Sequence, residues 1–155
     1  MKKNWKTLVL ALGLPLAVGG LAALLSGGME RYGAVEQPPL SPPGWVFPIA
    51  WSVLYLLMGY ASYRVWVAPA KAALRSRGLR LYAGQLAVNF LWPILFFGFG
   101  WYLAAFFLLL VLWVLILLTV QAFGRADRLA SELLLPYLLW VTFAGYLNLG
   151  VALLN

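Results

Sequence analysis

Long apolar runs, broken by short polar or glycine- and proline-rich stretches, divide the chain. The runs cover residues 7–27, 45–67, 80–98, 101–123 and 129–154. At 1.5 Å per helical residue, each is long enough to cross a hydrocarbon layer of about 30 Å. The pattern predicts an all-α membrane protein, a single five-helix transmembrane bundle over residues 1–155. The fourth run is almost wholly Leu, Val, Phe and Ala, which predicts a packing and lipid-facing helix. The other runs carry special residues at helical spacing. Gly19, Ala23 and Gly27 form a small-residue stripe that lets a neighbouring helix approach closely. Trp51, Tyr55 and Gly59 share a face of the second run, and Gln85, Asn89 and Trp92 share a face of the third. In the fifth, Tyr137, Trp140, Ala144 and Asn148 lie on one face, with Phe143 and Leu147 beside it.

The breaks between runs are equally specific. Residues 28–44 are rich in Gly and Pro, which excludes regular structure and predicts an ordered loop. Tyr32 is placed to pin that loop to the bundle; Pro42, Pro43 and Trp45 form its exit. Trp45 reads either as a membrane-interface anchor or as the rim of a pocket. Residues 68–78 read as a basic connector, and Phe99–Gly100 as a tight link. Pro93 removes the backbone bond to the carbonyl of Asn89, and Pro136 can kink the fifth helix. Asp127 is placed to cap that helix, with Glu132 favoured by its dipole.

Composition narrows the chemistry. The chain is 65% hydrophobic and 10% charged, against about 25% charged in soluble domains. It has no cysteine and no histidine, so disulfides, thiol nucleophiles and histidine-based catalysis or metal sites are unavailable. Its acidic residues, Glu30, Glu36, Asp127 and Glu132, are scattered near segment ends rather than paired. What the residues offer is a binding surface. Indole and phenol faces suit a flat, mostly apolar ligand, and a buried amide can fix its polar atoms. Asn89 and Gln85 have a second reading, as amides that stitch helices together.

The run PPGWVFPIAW with the following LY, MG, Y and W closely resembles the translocator protein family. That family is also called the tryptophan-rich sensory proteins, or the peripheral benzodiazepine receptors. The likeness continues through Leu81–Gly98 and Leu134–Asn148, and so covers nearly the whole chain. The resemblance implies a cavity beneath the first loop that binds tetrapyrroles such as protoporphyrin, isoquinoline- or benzodiazepine-type compounds, and sterols. It implies a site where Trp51, Tyr55, Asn89, Trp92, Trp140, Phe143, Ala144 and Leu147 converge between the second, third and fifth helices. Ala144 would keep that space open. It also implies a homodimer through the third helix, for which Ala83 and Ala87 supply a small-residue face.

No cofactor is required and no metal site is expected; porphyrin enters as ligand. Without His or Cys, iron would lack its usual axial ligands, so metal-free porphyrin fits better than haem. Sterol binding is less well supplied. The outer end of the fifth helix reads YLNLGVALLN, where Tyr146 is followed by no Lys or Arg and Ala152 stands where relatives often carry Trp. Two further classes stay open: a light- and oxygen-dependent porphyrin-degrading enzyme with Trp51 and Trp140 as its redox-sensitive indoles, and a tetrapyrrole or lipid carrier. Nucleic acid is not an expected partner, because the net charge of +7 sits in short loops between apolar runs. A basic start before an apolar run also describes a signal peptide, but the first run exceeds the usual signal core of about 7–15 residues, and the family retains this helix.

Those cations set a direction. Lys2, Lys3, Lys6, Lys71, Arg75, Arg77, Arg80, Arg125 and Arg128 fall on the side of the N-terminus, Arg64 leans the same way, and only Arg31 lies opposite. The positive-inside rule then places the N-terminus in the cytoplasm, with the first loop and the C-terminus external, in a bacterial cell membrane. A reporter fused after Asn155 is therefore expected to be active only outside the cytoplasm. Cytoplasmic activity of that fusion would refute the topology.

Overall fold

The computed structural model describes residues 5–28 and 30–155. Lys2 and Lys3, counted above for topology, lie outside the described residues. The elements in order are α1 (Trp5–Ser26), α2 (Glu30–Ala34), α3 (Val46–Trp66), α4 (Ala72–Pro93), a π-helical turn (Ile94–Phe99), α5 (Tyr102–Ala126), α6 (Arg128–Leu133) and α7 (Leu135–Leu154). Five stretches among the described residues are long and apolar enough to cross a membrane: α1, α3, α4 with its π turn, α5, and α6 with α7. The all-α, five-span expectation holds.

Neighbouring spans close into a ring. α1 packs on α3 and α4, α3 meets α6 and α7, α5 packs against α7, and α4 lies along α5. The α4–α5 hairpin turns at Gly100, whose φ of 68° is a left-handed conformation that costs glycine little. There the amide of Trp101 donates to the carbonyl of Leu95 at 3.0 Å. α1 is the outlier of the ring, with only Pro15, Ala22 and Ser26 buried. It is held by close approach: a Cβ on Gly59 would fall against the backbone carbonyl of Ala11.

Two features differ from the sequence expectation. The third span begins at Ala72, so Arg75 and Arg77 belong to the helix rather than to a connector. Charge marks where lipid ends, but a helix can run on into water, and Gly78 packs against Phe123 to hold this extension. The first loop contains a short helix, Glu30–Ala34, where no regular structure was expected. It survives because Tyr32 is buried among Phe47, Phe96 and Phe97. After Pro93 the third span continues, as read, to its expected end; its backbone widens there into the π turn, a common way to absorb a defect in the helical ladder. The fifth span behaves as read. Its helix is interrupted at Leu134, and Pro136 sits in the first turn of α7, where its missing N–H is harmless.

On the N-terminal side an ion pair ties two spans together. Arg64, near the end of α3, donates Nε to Asp127 Oδ2 at 2.7 Å and Nη2 to Oδ1 at 3.2 Å. Asp127 also accepts the amide of Ala130 at 2.9 Å, so one carboxylate caps α6 and fixes α3 against it. The Arg64 guanidinium, followed by that amide, holds the Asp127 carboxyl below its usual range. A lowered folded value means that the contribution is present above the unfolded value of about 3.9 and is lost as pH falls through the folded one. Asp127→Ala is expected to cost about 1 kcal/mol at neutral pH, chiefly the lost cap. In detergent melts at falling pH, the gap from the parent should shrink below about pH 4; a gap independent of pH would rule out the carboxylate as its source.

Candidate ligand-binding site

The site grows from a chain of buried polar side chains. Tyr55 Oη donates to Asn89 Oδ1 at 2.8 Å, Asn89 Nδ2 donates to Tyr137 Oη at 2.6 Å, and Tyr137 donates to Gln85 Oε1 at 2.7 Å. Gln85 Nε2 ends the chain on the carbonyl of Tyr82 at 3.0 Å. These groups are nearly inaccessible: Gln85 and Tyr137 are 1% exposed and Asn89 is 2% exposed. A second connection lies towards the loop. The Trp92 indole donates to Asn148 Oδ1 at 2.9 Å, and Asn148 Nδ2 donates to the carbonyl of Tyr102 at 2.7 Å.

Aromatic rings surround this polar thread. Trp51 stacks on Tyr55 with ring centres 5.6 Å apart and stands edge-on to Tyr137 and Trp140 at 6.1 and 6.5 Å. Trp92 stacks on Phe96, and Phe47 meets Trp140 edge to face. The Trp140 indole nitrogen is buried without an acceptor. An unmet N–H in a buried position costs about 1–3 kcal/mol.

A cavity of about 290 Å³ opens beside these rings. Trp51, Tyr55 and Asn89 line it, opposite Gly19, Gly20 and Ala23 of α1. The space therefore lies between the first, second and third spans, beneath the loop. The sequence reading had placed it between the second, third and fifth, and there the chain is packed. Trp92, Trp140, Phe143, Ala144 and Leu147 do not line the cavity. Ala144 and Leu147 are buried, and Trp140 and Phe143 are half-buried rings packed on one another behind Trp51. The face of α7 that carries Tyr137, Ala144 and Asn148 is consumed by contacts with α4 and α5. Room is left instead where α1 offers glycine and alanine. Those residues were visible as a small-residue stripe, but such a stripe reads as helix packing when no partner face is known.

The loop covers the outer end. Tyr32 donates to the carbonyl of Pro42 at 3.0 Å, and Gln37 Nε2 donates to the carbonyl of Tyr32 at 2.6 Å. The carbonyl of Pro43 receives the amide of Val46 at 3.0 Å. Trp45 points outward at 68% exposure, the position of an interface anchor rather than of a pocket rim. Tyr146 donates to the carbonyl of Pro39 at 2.6 Å, so its hydroxyl serves the loop.

Comparison with known proteins decides the family. The TspO/MBR family profile matches residues 11–154. The chain belongs to the TspO/MBR family. It is 40% identical to the tryptophan-rich protein TspO of Chlorobaculum tepidum over all of this chain and 99% of that one. It is 38% identical to the tryptophan-rich sensory protein of Cereibacter sphaeroides over 100% of this chain and 95% of that one. With the translocator protein of Bos taurus it shares 41% identity over 78% of this chain and 72% of that one. Five spanning helices and this membership make the TspO/MBR chain an integral membrane protein. They support a receptor or sensor role within the bilayer.

Proposed function

We propose that this TspO/MBR protein is a membrane receptor that senses flat hydrophobic molecules, protoporphyrin-like tetrapyrroles first and isoquinoline- or benzodiazepine-type compounds second. The observation that carries this reading is the stacked Trp51–Tyr55 pair facing a mostly apolar cavity, with the Asn89 amide at its back. Ring faces bind extended π systems, and one amide orients them. At about 290 Å³ the cavity suits two or three fused rings; a tetrapyrrole needs more. The extra room comes from the α1 side, where Leu16, Gly20 and Ala23 of the lining are exposed to lipid.

Degradation of the bound porphyrin is the second reading. It is favoured by the edge-to-face Trp51–Trp140 pair, 6.5 Å between centres, in which one oxidisable indole lines the cavity and a second stands directly behind it. Turnover above that of free porphyrin under the same light would distinguish an enzyme from a receptor.

We also propose a homodimer through the third span, where Ala83 and Ala87 form an exposed small-residue face. Replacing both by Leu is expected to shift the dimer towards monomer in mild detergent, as read by light scattering; an unchanged mass would move the interface to another helix.

For the cavity, quenching of tryptophan fluorescence by protoporphyrin supplies the readout. Trp51→Phe is expected to weaken binding about fivefold, from a stacking loss on the order of 1 kcal/mol. Gly20 lines the cavity and has open space around it, so Gly20→Leu should fill the cavity without straining the helix and abolish most binding. Arg77→Ala, on the far side of the membrane, should change nothing. Equal affinity in Gly20→Leu and the parent would place the ligand elsewhere.

A further inference from the structure

We propose that Gln85 and Tyr137, neither of which lines the cavity, fix its hydrogen-bonding polarity, so that it selects ligands presenting an N–H or O–H donor over isosteres presenting only an acceptor. This rests on the cavity reading above and adds to it the chemical class of the ligand's polar edge.

The direction of the polar chain follows from its buried end. Gln85 Nε2 meets the carbonyl of Tyr82, which can only accept. The amide cannot turn over, because Oε1 would then face another acceptor at a position only 1% exposed. Oε1 is thereby committed to accepting, and the partner it accepts from is the Tyr137 hydroxyl. With its single proton used, Tyr137 oxygen can only accept from Asn89, which turns Nδ2 towards Tyr137 and Oδ1 towards Tyr55. Tyr55 must then spend its proton on Asn89. What its oxygen shows to the cavity is lone pairs. One backbone carbonyl thus sets the orientation of four side chains across α3, α4 and α7. Gln85 and Tyr137 are positioning residues: they touch no ligand but decide which way Asn89 and Tyr55 point.

The test uses two fused-ring isosteres, carbazole, which has an N–H, and dibenzofuran, which has an oxygen in its place. Binding is measured by calorimetry on the full chain in lipid nanodiscs, with empty nanodiscs subtracted. Carbazole is expected to bind about fivefold tighter, the factor typical of one neutral hydrogen bond. Gln85→Met keeps the shape and removes the anchor. Tyr137 can then donate to Asn89, Asn89 to Tyr55, and the Tyr55 proton turns into the cavity. The carbazole preference should fall to about one or reverse, while both compounds still bind. Tyr137→Phe cuts the chain at a different point and should also lose the preference. A purely structural role for either residue would weaken both isosteres together and leave their ratio unchanged. Equal binding of the two by the parent, or a parental ratio in both variants, overturns the proposal. Gly20→Leu separates the two levels: if it abolishes equal binding of both isosteres, only the polarity is wrong, whereas if it leaves their binding unchanged, or if neither binds at all, the cavity reading fails and the polarity with it.

Discussion

The fold depends on a requirement that lipid imposes. A polar group inside the bundle has no water to turn to, so it must find a partner on another helix or on its own backbone. Gln85 and Asn89 are one turn apart on α4, and they reach Tyr137 on α7 and Tyr55 on α3. Each such bond contributes modestly in a membrane, on average about 0.6 kcal/mol. Leaving one member buried and unpaired costs about 1–3 kcal/mol. That asymmetry gives the bonds their specificity. Rotating α3, α4 or α7 by one residue, about 100°, would strand several groups at once. Trp92, Asn148 and the Tyr102 carbonyl repeat the device nearer the loop and bring in α5. Four of the five spans are thereby held in rotational register.

α1 stands outside this arrangement. It shares none of the interhelical side-chain hydrogen bonds of the core, and it rests on α3 through close contact, Gly59 against Ala11 and Gly19 against the Tyr55 ring. The cavity lies along this seam between a hydrogen-bonded four-span body and a helix that meets it through the close contacts at Gly59 and Gly19. A flat molecule can widen such a seam by shifting one helix, whereas widening the gap between α4 and α7 would break buried hydrogen bonds. The small residues of α1 therefore have two consequences with one cause. They let the helix approach closely where it touches, and they leave space where it does not.

Much of this was legible in the residues. Apolar length marked the five spans, because nothing but a helix satisfies its own backbone in lipid. Spacing put Trp51 with Tyr55, and Gln85 with Asn89, on shared faces, and both pairings hold. The alternative left open for the amides, stitching or lining, had no single answer. Asn89 does both, since one amide can bond two helices and still border a cavity. What stayed hidden was which faces meet. Ala144 looked like deliberate space, but smallness there serves packing against neighbours, while Gly20 makes the actual opening. A one-dimensional pattern states which residues share a face. It does not state the order of helices around the ring, and that order decides which small residue borders a void. The basic stretch before Arg80 misled for a different reason, because charge records the lipid boundary and not the end of a helix.

The loop joins these parts into one system, and its contacts are unequal. On the α7 side it is held by bonds near water: Tyr146 to Pro39, and Asn155 exchanging two bonds with the backbone of Glu36. Water can replace each of these at little net cost. Pro38 also packs directly on Gly150, where even one methyl group would strike its ring. On the other side the Tyr32 ring is buried among Phe47, Phe96 and Phe97, and freeing it would expose on the order of 150 Å² of mostly apolar surface. At about 25 cal/mol per Å², that alone outweighs the loop's exposed hydrogen bonds. The loop should therefore loosen from α7 first and pivot on Tyr32. Phe47, in contact with Tyr32, also packs on Trp140 and lines the cavity beside Trp51. The pivot of the cover and the wall of the site are thus consecutive members of one aromatic cluster, so a ligand that shifts Phe47 acts directly on the residue that anchors the cover.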